Sequence, residues 1–198
     1  MSRRPLTRQE SQAITRARLI KAGRRVFLKH GFYAASIEQV ARAAGHTTGA
    51  LYSNFDSKEA LCLAVLEDRF AEVGTSLQEA LGSAESTADA RLAAIEKWWQ
   101  TLPDVEHWGL LAAEFVLVTR TKPAIRKQLG ERVALVRSLL AGVLESQRAE
   151  LGLDLKFDAE RLAVAALGLG CGLAVLRTAD PTLPDDVFTP SLRLLLGR

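Results

Sequence analysis

Residues 45–58 read Gly45-His46-Thr47-Thr48-Gly49-Ala50-Leu51-Tyr52-Ser53-Asn54-Phe55-Asp56-Ser57-Lys58. A turn residue opens the stretch and a helix-capping pattern closes it, leaving room for barely two helical turns. Those turns carry two β-branched threonines, an internal glycine and a Ser-Asn pair, all poor helix formers. What precedes them explains why so weak a helix stands there. Ser36 and Gln39 form a capping box for a helix whose Ile37, Val40, Ala41 and Ala44 repeat at i, i+3, i+4 and i+7, and Gly45 ends it. A helix, a tight glycine-containing turn and a short second helix make the helix-turn-helix pattern, here over 36–43, 44–46 and 47–54.

The second helix of such a unit is there for contact rather than for stability of its own. Leu51 and Phe55, one turn apart, clamp it inward, while its outer side offers small polar groups able to approach the floor of a DNA major groove. Thr47 is a plausible N-cap and, with Thr48, supplies hydroxyls and methyls, the latter suited to a thymine methyl. Gly49 removes a side chain where backbone must come close, and a helix start favours phosphate. Tyr52, Ser53 and Asn54 reach phosphates or base edges from the far end. Ser36 and Lys58, each at a helix start, are expected to clamp backbone phosphates on either side.

The charge distribution agrees. Residues 1–60 hold eleven Lys/Arg against four Asp/Glu, a balance of +7, whereas the remainder holds fifteen against nineteen, a balance of −4. A basic first third on an acidic remainder suggests that one end meets a polyanion.

These residues resemble a known family. Thr15-Arg-Ala-Arg-Leu-Ile-Lys-Ala, Val26-Phe27, His30-Gly31-Phe32, Ser36-Ile-Glu-Gln-Val-Ala, Ala43-Ala-Gly45, Gly49-Ala-Leu-Tyr52, Phe55 and Ser57-Lys-Glu-Ala-Leu61 look like the N-terminal domain of TetR (tetracycline-repressor-like) regulators. The likeness covers about residues 12–70. His46 departs from it, standing where the family usually has an aliphatic residue, and so does Thr48 with Ser53-Asn54, where members often carry larger basic or aromatic groups. The resemblance implies three DNA-binding helices, a bridging fourth helix, and a helical domain over 71–198 for ligand binding and dimerisation. It also implies a dimeric repressor that leaves a palindromic double-stranded DNA operator when a small molecule binds. An activator of the same family, or a small-molecule-sequestering protein with a vestigial DNA module, stay open as alternatives.

Elsewhere the pattern is all-α, with about nine helices and no strand signal. Thr7 and Glu10 form a capping box for a helix to His30 that Gly31 can end in a left-handed cap, and Asp56 with Glu59 forms another. A longer helix follows through Leu61, Val65, Phe70 and Val73, and Gly82 and Ser83 punctuate the region after it. Further helices are expected over 87–102, 105–120, from Pro123 to about Leu151 and from an Asp158 cap to about Ala179, with Pro184 and Pro190 bracketing a short last one.

All three tryptophans fall within residues 98–108. Trp99 sits on an apolar stripe and reads as core. Trp98, Trp108, Leu111, Glu114 and Phe115 are the candidates for a largely apolar effector pocket. The run Leu162–Leu176, with glycines at 168, 170 and 172, is too short to span a membrane comfortably and follows no strand, which argues against a nucleotide-binding loop. It reads as part of a two-fold helical interface through 158–179 and 185–197.

No catalytic constellation, P-loop or metal spacing is present, so neither enzymatic activity, a metal nor a cofactor is expected. Cys62 and Cys171 read as reduced thiols. Residues 1–30 are too charged for a secretory signal, and a cytoplasmic location follows as the expectation.

Overall fold

Thr7 begins the first helix as its pairing with Glu10 predicts. Its Oγ1 accepts the Glu10 N–H at 3.2 Å, and the Glu10 carboxylate accepts the Thr7 N–H at 2.7 Å. The structure, a computed structural model, describes residues 4, 7–152, 157–184 and 186–197. Among these the helices are α1 Arg8–Ala34, α2 Ile37–Ala44, α3 Thr48–Tyr52, α4 Lys58–Gly82, α5 Ala88–Thr101, α6 Val105–Thr119, α7 Pro123–Leu151, α8 Ala159–Ala179 and α9 Phe188–Leu195. No strand occurs among the described residues, so the all-α reading holds.

The chain divides into two compact units. The first comprises residues up to Arg69 together with Leu111–Arg126, the second Phe70–Leu110 together with Lys127 onward. The latter half of α6 and the start of α7 therefore belong with the N-terminal helices rather than with a domain beginning at residue 71.

In the first unit, Leu19, Phe27, Val40, Leu51, Leu61, Cys62, Val65, Leu111 and Phe115 are almost wholly enclosed. Each buried leucine or phenylalanine contributes about 1.5–3 kcal/mol to folding. The Cys62 thiol is pushed far above its usual range, chiefly by burial, and is packed as a hydrophobe. Helix α1 does not end at His30. Its backbone breaks at Gly31 (φ 72°, ψ 173°), a conformation close to glycine's alone rather than the left-handed helical cap expected, then makes one more turn to Ala34. The break exposes the Phe32 N–H, and the Glu114 carboxylate accepts it. Phe32 in turn packs edge-on to Phe115, with ring centroids 5.7 Å apart.

One capping residue is corrected. Helix α4 starts at Lys58, and it is Ser57, one position beyond Asp56, whose hydroxyl accepts the Ala60 N–H at 3.1 Å. Close by, Lys122 pairs with Glu59.

In the second unit, Trp99 is core as read, stacked on Phe188 with centroids 4.1 Å apart. Leu92, Leu173 and Leu192 complete this cluster. Pro190 does not bracket the last helix but sits in its first turn, where the missing N–H costs no helical hydrogen bond.

Helix α8 is capped by Asp158 as expected, its carboxylate accepting the Arg161 N–H at 2.8 Å. It buries Leu162, Ala163, Leu173 and Ala174 while leaving Val164, Gly168, Cys171, Gly172, Val175 and Leu176 exposed. With 21 residues and a most apolar window of mean hydropathy 1.8, it passes a test of length and composition that the core helix of a soluble protein also passes, and it is not a convincing membrane span. Its packing in a helical cluster is the alternative use of such a composition. Gly170 does not share a face with Gly168 and Gly172, since positions two apart lie about 200° around a helix and positions four apart only about 40°. Gly170 faces Trp99, whereas Gly168 and Gly172 look into open space.

Candidate nucleic-acid interface

Helix α2 and the turn after it follow their sequence closely. Ser36 donates its N–H to Gln39 Oε1 at 2.8 Å and accepts the Gln39 N–H on its hydroxyl at 3.2 Å. Gly45 ends the helix in the left-handed conformation (φ 70°, ψ 30°), its N–H donating to Arg42 O and the His46 N–H to Ala41 O at 2.9 Å. The turn is therefore held by backbone. His46 adds a ring whose Nε2 is buried without a partner.

Thr47 then caps α3, its Oγ1 accepting the Ala50 N–H at 3.1 Å. Five residues are too few to stabilise a helix by themselves. Leu51, with no exposed surface, and Phe55 anchor this one. Thr47, Gly49, Tyr52 and Ser53 are exposed, and Thr48 is half-buried at the rim. These residues give α3 and its cap a largely polar outer face.

Four residues expected at the DNA also make contacts within the protein. Asn54 turns inward, its Nδ2 donating to Ala50 O at 2.8 Å and its Oδ1 buried, so its amide is not presented to a base edge. Ser53 also turns back, donating its hydroxyl to Ala50 O at 2.8 Å, though its oxygen stays exposed. Lys58 is not a free phosphate clamp: its Nζ donates to Phe32 O and Ala35 O at 2.8 and 2.9 Å and lies 4.4 Å from the centre of the Phe32 ring. An ammonium has three donors, and Phe32 O and Ala35 O, with Tyr33 O at 3.4 Å, engage them at the end of α1. Ser36 spends both its polar groups on the capping box. The neighbouring Glu38 carboxyl is held below its usual range by its own backbone N–H and the Ser36 hydroxyl, so an anion already occupies that helix start.

The placement of Lys58 makes a prediction. Lys58→Met should lower the melting temperature, the loss of charge-assisted hydrogen bonds costing about 1.5–3 kcal/mol. It should leave the slope of log affinity against log salt for DNA unchanged. A slope smaller by about one would return Lys58 to the phosphates.

Sequence reading missed the arginines that fasten the reading unit. Arg16 stacks 4.2 Å over the Phe55 ring and donates to Asn54 O at 3.1 Å, and Arg25 donates to Ala43 O at 3.0 Å. The only signal for them was the basic charge of α1, which does not say which arginine bends inward. Exposed Tyr33 and Arg42, in the same unit, also went unremarked.

The five residues expected to line an effector pocket are divided between the two compact units. Trp98 and Trp108 belong to the second unit, Leu111, Glu114 and Phe115 to the first. Trp98 Nε1 donates to Ser76 Oγ at 2.9 Å, Trp108 is buried, Leu111 and Phe115 are core, and Glu114 holds the Phe32 N–H. The apolar cleft of the second unit, about 630 Å³ with its mouth, lies instead among side chains of α4, α5, α7 and α9. Large aromatics fill a core as readily as they line a cavity.

A family model for the bacterial regulatory proteins of the tetR family matches residues 19–65, the stretch that holds α2, α3 and the start of α4. An HTH-type transcriptional regulator of Mycobacterium tuberculosis is 30% identical over 146 residues, 74% of this chain and 67% of that protein. This chain belongs to the TetR family. The HTH-type transcriptional repressor AcnR of Corynebacterium diphtheriae is 23% identical over 124 residues, 63% of this chain, and the match spans 60% of its own length, less than two thirds. In fold, the TetR-family chain is similar to a transcriptional regulator from Rhodococcus (TM-score 0.68, 23% identity, 92% of this chain and 94% of that one). It is similar also to reduced NemR of Escherichia coli (TM-score 0.71, 23% identity, 91% and 96%).

Proposed function

We propose that this TetR-family protein is a dimeric repressor that reads a palindromic operator and is released from it by a small molecule. The observation that carries the reading is α3, a five-residue helix pinned by Leu51 with Thr47, Gly49 and Tyr52 turned to solvent. Placed in a major groove, Thr48 and Gly49 would meet base edges, and Tyr52 with the Ser53 oxygen would meet phosphate. A dimer would present two such helices to half-sites about one DNA turn apart, or a multiple of it. The exposed apolar stripe of α8 and Leu194 of α9, 74% exposed, support an interface through 158–179 and 185–197. Repression is favoured by the name of AcnR. An effector held in the second unit would act through α4, which begins in the first unit and ends in the second.

The test is binding to DNA flanking the protein's own gene against scrambled DNA, over a salt series. Sequence-dependent binding of two protomers per site is the expected result. Weak, sequence-blind and steeply salt-dependent binding would leave only a basic surface. Within that experiment, Tyr52→Ala should weaken every operator variant about equally, whereas Thr48→Ala should change base preference at one position of each half-site. If neither substitution alters affinity, α3 is not the reading helix.

A further inference from the structure

The cleft of the second unit joins aliphatic walls, among them Leu81, Leu92, Leu144 and Leu192, to two buried polar atoms that have no partner. Arg91 and Gln147 line both this cleft and an adjoining, more open groove of about 820 Å³, so they stand at the seam of the two. Arg91 is 8% exposed. One terminal nitrogen, Nη2, donates to Glu150 Oε1 at 2.9 Å and to Ser86 Oγ at 3.4 Å, and the Ser86 hydroxyl donates to the same carboxylate oxygen at 2.7 Å. That hydroxyl and the guanidinium hold the Glu150 carboxyl below its usual range. The positive charge is thus met where it stands. The Nε–H of Arg91 is left over, buried and unpartnered, and so is Oε1 of Gln147.

An unpaired buried donor and an unpaired buried acceptor on residues lining one cleft define what would complete both: a neutral group that both accepts and donates. A carboxylate would confront the Glu150 charge and bring no hydrogen for Gln147. An ammonium would confront Arg91. A plain hydrocarbon would leave both atoms unpaired in an apolar cavity, which is costly. We propose that this cleft binds neutral, largely apolar molecules bearing a single hydroxyl or amide group, which accepts from Arg91 Nε–H and donates to Gln147 Oε1. The inference rests on the reading of the second unit as the effector-binding part and names the chemistry of that effector.

Four probes with one eight-carbon chain separate the possibilities: 1-octanol, octanamide, octanoate and octylamine, titrated calorimetrically into the full-length protein without DNA. Octanol and octanamide should bind at least about tenfold more tightly than the two ions. Gln147→Leu and Gln147→Met should each weaken octanamide about tenfold while keeping or raising the melting temperature, because an unpaired buried oxygen is removed. Octanoate binding as tightly as octanamide would overturn the proposal, and so would octanamide affinity unmoved by both substitutions. The same probes added to the operator complex test the wider reading separately. Gln147-dependent binding without release of DNA would support the cleft's chemistry and overturn its role as effector site. Release of DNA that ignores both Gln147 substitutions would sustain an effector and overturn this cleft as its site.

Discussion

Gly31→Ala should lower the free energy of unfolding by about 3 kcal/mol, the sum of two costs of similar size. At φ 72° and ψ 173° an alanine is strained by roughly 1–3 kcal/mol whatever the space around it. Its Cβ would also stand 2.8 Å from Glu114 Oε1, so the carboxylate must give up the Phe32 N–H. A hydrogen bond to a charged group is worth about 1.5–3 kcal/mol. For a chain of this length the fall in melting temperature should be roughly 6–12 °C. Circular dichroism during heating reads it directly. Glu114→Ala alone should cost the hydrogen bond only, and the double variant isolates the backbone strain. A Gly31→Ala protein that melts within a degree of the parent would show that α1 can run through residue 31 without a break, and that Glu114 is dispensable there.

The second large effect is expected at Leu51. Leu51→Ala should cost about 2–5 kcal/mol, the range for a fully buried leucine whose cavity cannot collapse. The loss is not spread over the fold, because Leu51 is the only buried residue of α3. Without it, a five-residue helix has no reason to stay in place. Operator affinity should drop at least about a hundredfold, since only the fraction of molecules with α3 docked can bind. Hydrogen exchange at the Phe55 amide, which donates to Leu51 O at 2.9 Å, should quicken before the rest of the first unit opens. The exposed Tyr52 offers the contrast, because Tyr52→Ala should weaken DNA binding and leave the melting temperature unchanged. Unchanged operator affinity in Leu51→Ala would mean that some other surface reads the DNA.

Legibility in the sequence followed the range of the interactions. Capping residues act within one turn, so Thr7, Ser36, Thr47 and Asp158 could be named from their neighbours, with only Asp56 misplaced by one position from Ser57. The helix-turn-helix was legible for the same reason: a glycine in the left-handed conformation and a leucine at the right spacing specify it locally. What stayed hidden depends on partners far along the chain. Nothing near Glu114 announces that its carboxylate serves an N–H 82 positions earlier, nor anything near Lys58 that carbonyls at the end of α1 would take its ammonium. Glycine 31 gave the break but not its geometry, which the Glu114 carboxylate completes. The proposed effector site was the least legible part. Tryptophans drew attention by size, whereas the cleft is lined mainly by leucines, which look the same in sequence whether they fill a core or surround a void.

The inward attachment of α3 also bears on how such proteins diversify. Because Leu51 and Phe55 hold the helix from its inner side, the residues on its solvent side carry little of the fold's stability. If α3 reads DNA as proposed, a lineage could change its genomic address at Thr48, Gly49 and Tyr52 nearly independently of its ability to fold, trying new targets by single substitutions that leave a working protein at every step.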